Sequence, residues 1–207
     1  MKHQHICRTT AVLGLVVIAA NAIGLGGCSH PPPSSPTQWT PAQADATPQV
    51  SSAATKADEA IGALKSSLMA SLKQAMAKGG PVEAIGVCHE LAPALAAKIS
   101  QEQGLKIGRT SFRNRNADNT PPTWAQAAVD RQESSPLVFT SQDGAVAFLR
   151  PIHLMPACVQ CHGNTEQIAP DVQARLAEQY PQDQATGFAE GELRGYFWVQ
   201  VPASANP

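Results

Sequence analysis

Apolar side chains recur at helical spacing between residues 55 and 103, and beyond residue 105 the period shortens to two. Ala60, Ile61, Leu64, Leu68, Leu72, Ala75 and Met76 form a helical stripe. Thr55 and Asp58 ahead of it resemble a helix start, and Lys78-Gly79-Gly80 ends the run. A second helix is expected to open at Pro81, a residue suited to the first helical position, and to reach about Glu102 before Gly104, with Pro93 kinking or dividing it. On its projection Ala84, Ile85, Cys88, Leu91, Ala92, Leu95 and Ile99 share one face. Cys88 therefore points inward, and His89 lies about 100° further round. From Leu105 to Phe112 the pattern is extended and leads into an Asn-, Asp- and Pro-rich loop, after which Trp124, Ala127, Ala128 and Val129 suggest a short helix. Leu137 to Phe139 and Ala145 to Ile152 flank Ser141-Gln142-Asp143-Gly144, a hairpin signal. Pro170 opens a helix with Val172, Leu176 and Ala177 inward, and Tyr196 to Val201 is a last strand. Helices in front and strands behind predict an α+β domain with an antiparallel sheet.

The ends read differently. Residues 1–27 place Lys2 and Arg8 before an apolar run and small residues, the pattern of an export signal. The run is shorter than the ~20 residues a membrane span needs. Leu25-Gly26-Gly27-Cys28 resembles a bacterial lipobox, which would place a lipid on Cys28 and anchor the chain to a membrane, facing the periplasm. Residues 28–54 are rich in Pro, Ser, Thr, Gln and Ala, with too few large apolar groups to offset the entropy of ordering; they read as a disordered tether. The expected division is thus a leader at 1–27, a tether at 28–54, one domain at 55–202 and a tail at 203–207. A net charge of −1 with no basic stripe excludes nucleic acid as a natural partner.

The chemistry concentrates at Cys158-Val159-Gln160-Cys161-His162. Two thiols and an imidazole at this spacing read as a c-type haem attachment loop: Cys158 and Cys161 form thioethers and His162 ligates the iron. Chance supplies such a match in roughly three of a thousand chains of this composition. A thioredoxin-like pair or half of a zinc site are the competing readings, but the first normally opens a helix after a strand and the second needs another Cys/His pair. One covalent haem c also agrees with export, since haem is attached on the outer side of the bacterial inner membrane. With Cys7 in the leader, Cys28 lipidated and two thiols on haem, Cys88 alone is left without a role. It is either a buried small hydrophobe or a ligand.

Ala84-Ile85-Gly86-Val87-Cys88 with Ala92-Pro93, Ile107 to Ser111, Arg115-Asn116, Cys158 to Gly163, and Tyr180-Pro181 through Gly187 to Leu193-Arg194-Gly195 together resemble one family. Its members are small c-type haem domains with a PAS-like fold, found alone and as sensor modules of membrane-bound signalling proteins. The resemblance implies a PAS-like antiparallel sheet with long N-terminal helices packed around the haem, and His162 and Cys88 as the two axial ligands. His89, His153 and Met155 compete for the second position, His153 and Met155 with an awkward reversal of chain. Arg109 and Arg115 match family arginines, for which pairing with haem propionates and simple tethering to a carbonyl are both open. A thiolate favours ferric iron, so such a centre suits a redox or small-ligand sensor in which reduction releases Cys88 as a protonated thiol. No effector region follows up to Pro207, so a signal is expected to pass to another protein. An electron-transfer cytochrome is the alternative, and a peroxidase-like enzyme ranks third because a six-coordinate iron has no open position.

Overall fold

The structure is a computed structural model and describes residues 37–205. The expected leader, the lipidation at Cys28, the first part of the tether at residues 28–36 and the last two residues lie outside this range.

Period-two patterning builds one antiparallel sheet from β1 (Trp39–Ala42), β2 (Lys106–Thr110), β3 (Leu137–Ser141), β4 (Val146–His153) and β5 (Leu193–Val201), in the order β1-β3-β4-β5-β2. The β3–β4 turn falls at Ser141 to Gly144 as expected, and Gly144 takes a positive φ of 82° that a side chain would resist. Alternation assigns the two faces. Val146, Phe148, Phe197, Val199 and Val201 pack with the long helices, whereas Leu149 and Tyr196 pack against Ala125, Ala128 and Val129 around the short α3 (Gln126–Asp130).

Helix α1 (Pro48–Gly86) lies on the first face through Val50, Ala53, Ala57, Ala60 and Leu64, joined by Ile99 from α2 (Ala92–Gln103). Ala53, Ala57 and Ala60 are fully buried, and their small size lets the helix approach the sheet closely. The helix breaks where the glycines foretold. Gly80 has φ 67° and Pro81 starts the next helical run. Further on, Val87–Leu91 forms a π-helical turn in which Ala92 N–H donates to Val87 O. Pro93 explains it: proline has no N–H for the carbonyl four residues back, and a widened turn separates the ring from that carbonyl. Helix α4 (Val159–His162) is one turn long, and α5 (Pro170–Gln179) buries Val172 and Leu176, though Ala177 faces outward.

The domain starts earlier than expected. Residues 39–54, read as tether from their composition, supply β1 and the first turns of α1. Thr47 caps that helix by accepting Val50 N–H at 3.1 Å, and Pro48 occupies the first turn. Thr55 is interior, its hydroxyl donating to Ser51 O. Strand β1 accommodates Pro41 because it lies at a sheet edge, paired only with β3. Residues 203–205, expected as tail, form a short 3-10 turn.

Deleting residues 39–52 should therefore destabilise the domain. Val50 alone contributes about 1.5–3 kcal/mol through burial, and thermal denaturation should report a Tm lower by about 2–4 °C for each kcal/mol lost.

Candidate functional site

Strand β4 delivers the chain to the candidate loop by way of a 3-10 turn, Pro156–Cys158, which continues into α4. Gly163 closes the loop: its N–H donates to Val159 O at 2.8 Å, and a Cβ there would stand 2.5 Å from the same oxygen. Beside the loop opens a cavity of about 580 Å³. Cys158, Cys161 and His162 line it from one side and Ala84, Ile85 and Cys88 from the helix after Pro81. The remaining wall is mostly apolar, with Met69, Leu72 and Met76 from the second half of α1 and Leu176 and Tyr180 from α5 and its end, joined by Lys73, Arg115 and Gln160. Met69, 37 % exposed although apolar, faces this space.

A strap of backbone, residues 183–188, holds the loop from behind. Phe188 N–H donates to His162 O at 2.9 Å and Gly187 N–H to Gly163 O at 2.7 Å. Two arginines hold the strap in turn. Arg113 donates to the carbonyls of Gln184, at 2.9 Å, and Thr186. Arg115, 8 % exposed, pairs through Nε with Asp183 at 3.0 Å, and its Nη2 reaches the carbonyls of Cys161 and Ala185. Such a buried pair costs desolvation, and the two carbonyl contacts satisfy donors that would otherwise be stranded.

His162 is oriented by the same strap. Its Nδ1 lies 2.7 Å from Ala185 O and 3.2 Å from Arg194 Nε. One nitrogen cannot donate and accept at once, and the carbonyl can only accept; Nδ1 thus carries the proton toward Ala185. The lone pair is left on Nε2. Burial first, then the charges of Arg115 and Arg194, push the imidazole well below its ordinary pKa and keep it neutral, the form that binds metal. Burial and the neighbouring Arg115 and Arg109 lower Arg194 itself to about 10.

Burial likewise raises the Cys88 and Cys161 thiols, with arginine charges opposing, Arg109 foremost at Cys88 and Arg115 at Cys161. A catalytic thioredoxin-like pair needs the opposite, a depressed and exposed thiol. Nor do Cys88, Cys158, Cys161 and His162 converge on one point: among the described residues no cluster of three or more metal-binding side chains closes around an ion-sized space. Donors spread over the walls of an apolar cavity suit a ligand with an extended body.

The sequence expectations divide accordingly. Cys158, Cys161, His162 and Cys88 come together on one cavity, whereas His89, His153 and Met155 do not line it. His89 packs edge-on against Tyr180 at 5.1 Å, and His153 is exposed with Nδ1 at Gly191 O. Arg109 is half-buried on β2, paired there with Phe197 of β5; its side chain makes no hydrogen bond to a described residue, and its charge is felt at Cys88. Arg115 is tied to carbonyls and Asp183. Arg113, Asp183 and Ala185 were not singled out by sequence; the Arg-x-Arg spacing at 113 and 115 was visible, but its partners lie about seventy residues away.

The sequence profile of the family described as Tll0287-like matches residues 39–202. The chain belongs to the Tll0287-like family. The match begins at β1 and ends with β5, the bounds of the described domain, and the α+β, PAS-like architecture agrees with it. No curated protein matches the chain. A solved structure, that of the cyanobacterial haem protein Tll0287, is 25 % identical, with 54 % of this chain and 69 % of that one covered and a TM-score of 0.46.

Gly163→Ala should disturb this site of the Tll0287-like domain while leaving the sheet intact. The Val159 carbonyl must move to admit the new Cβ, at a cost of about 1–3 kcal/mol, seen as a lower Tm with unchanged far-ultraviolet circular dichroism.

Proposed function

We propose that this is a lipid-anchored, periplasm-facing protein that carries one covalent haem c and senses redox state or a small ligand on behalf of a partner protein. The observation that carries the reading is the gathering of Cys158, Cys161, His162 and Cys88 on one apolar cavity. Its volume lies within the range of about 300–1,000 Å³ typical of cofactor sites. The residues fit the group. Cys158 and Cys161 would hold it through thioethers, His162 Nε2 would ligate its iron, and Met69, Leu72, Met76, Ile85 and Leu176 would cover its faces. When bound, the haem supplies a redox-active iron whose preference for ferric or ferrous state follows its axial ligands.

Cys88 would supply the iron's second protein ligand. Desolvation opposes the thiolate at this half-buried residue, and the charge of Arg109, on β2, favours it. Arg109 also remains the candidate for a propionate contact, since no other hydrogen bond occupies it. Position on the π turn gives Cys88 a route to report its state. A change of its bond is felt in a segment whose helical hydrogen bonds are already displaced, and that segment continues into α2 on the sheet. Cys28 as lipid attachment completes the proposal and would hold the domain at the membrane, where its partner is expected.

The test compares optical spectra of native protein with Cys88→Ser and His89→Ala variants. Native ferric protein should be low-spin with thiolate character. Cys88→Ser should raise the potential and bind imidazole or cyanide more readily, and His89→Ala should behave as native. A spectrally silent Cys88→Ser together with a high-spin His89→Ala would replace this centre by a bis-histidine one and favour electron transfer. Accumulation of unprocessed precursor in the presence of globomycin checks Cys28.

A further inference from the structure

We propose that Arg115 sets the electron-donating strength of His162 by sharing the Ala185 carbonyl with it. The inference rests on His162 being an iron ligand, and it concerns a residue that lines the same cavity but makes no hydrogen bond to its thiols or to the imidazole. Arg115 Nη2 donates to Ala185 O at 3.1 Å and also to Cys161 O, and the same Ala185 O accepts Nδ1–H of His162 at 2.7 Å. A carbonyl oxygen has two lone pairs, and here both are engaged. One donor is cationic, and a charged donor draws more density from the acceptor than a neutral one. Ala185 O is therefore a weaker acceptor for His162 than a carbonyl bonded to the imidazole alone. The basicity of a ligating histidine follows the hydrogen bond at its other nitrogen, so Arg115 holds His162 away from imidazolate character.

Two neighbours bracket the effect. Asp183 offsets the guanidinium: Oδ2 accepts from Arg115 Nε at 3.0 Å, while Oδ1 accepts Ala185 N–H at 2.7 Å and tethers the residue whose carbonyl is shared. Arg113 grips the strap on either side, at the Gln184 and Thr186 carbonyls, without reaching Ala185 O. It holds the same strap but lacks the shared oxygen, which makes it the control for loosening alone. Arg115 is thus a positioning residue, acting on His162 through Ala185.

The experiment uses haem-loaded protein with ¹⁵N-labelled histidine, first to establish His162 as ligand in the native protein. Nδ1–H of His162 is then followed in the diamagnetic ferrous carbon monoxide complex, alongside the midpoint potential. Arg115→Lys keeps the charge but loses the planar fork that serves Asp183 and two carbonyls together. It should shift Nδ1–H downfield and lower the potential, because a more basic imidazole favours ferric iron. Arg113→Gln should leave both where they are. Asp183→Asn removes the carboxylate that tempers Arg115 and should move both readouts the other way, and it decides the question if Arg115→Lys does not retain haem. An unmoved Nδ1–H in Arg115→Lys, or an equal shift in Arg113→Gln, overturns the proposal while leaving the haem reading standing. Haem bound with His162 unligated in the native protein overturns both.

Discussion

The hydrogen bond from His162 Nδ1–H to the Ala185 carbonyl is the constraint on which the site turns. A one-turn helix such as Val159–His162 has no stability of its own, since nucleating a helix fixes several residues for few bonds. What orders it is external. Residues 185–188 lay a carbonyl and two N–H groups along its end, and Arg113 and Arg115 fasten that strap from a loop that leaves β2. Phe188 and Ala185 are buried with Leu154 beneath the loop, so the polar clamp rests on a small apolar cluster. The imidazole is thereby fixed in tautomer and direction before any ligand arrives. Preorganisation of this kind places the cost of ordering in folding and leaves little of it for binding.

The opposite wall obeys a different constraint. The first half of α1 is held by the sheet through alanines, but past Leu64 none of its described residues joins that cluster, and Met69, Leu72 and Met76 line the cavity. The break at Gly79-Gly80 returns the chain along this space, so Ala84, Ile85 and Cys88 line the cavity opposite Cys158, Cys161 and His162. Ile85 meanwhile packs on Val172, Leu176 and Tyr180, which ties α5 to the same wall. The π turn at Val87–Leu91 is a local consequence of Pro93, yet it falls on the segment that carries Cys88. A strong helix former at that position would give straighter geometry and a different face at residue 88.

What could be read from sequence was what depends on neighbours in the chain. Cys158-Val159-Gln160-Cys161-His162 carries its chemistry in five consecutive residues, and the hairpin turn and the break at Gly80-Pro81 are equally local. Cys88 was placed on the inward face by periodicity, and it does line the cavity. The strap was not legible, because Arg115 meets Asp183 across 68 residues of sequence and backbone carbonyls leave no mark on residue type. The start of the domain was misplaced for a compositional reason. A Pro-, Ser- and Thr-rich stretch looks disordered on average, while Thr47-Pro48 within it is a helix start and Val50 and Ala53 are core residues.

In the function proposed above, the loop and strap present Cys158, Cys161 and His162 for one covalent haem. Peptide mapping by mass spectrometry of protein made in a host that matures c-type cytochromes addresses it directly. A single haem adduct is expected on the peptide containing both Cys158 and Cys161, with Cys88 recovered unmodified. A Cys158–Cys161 disulfide without haem in that host, or haem linked through Cys88, would contradict it.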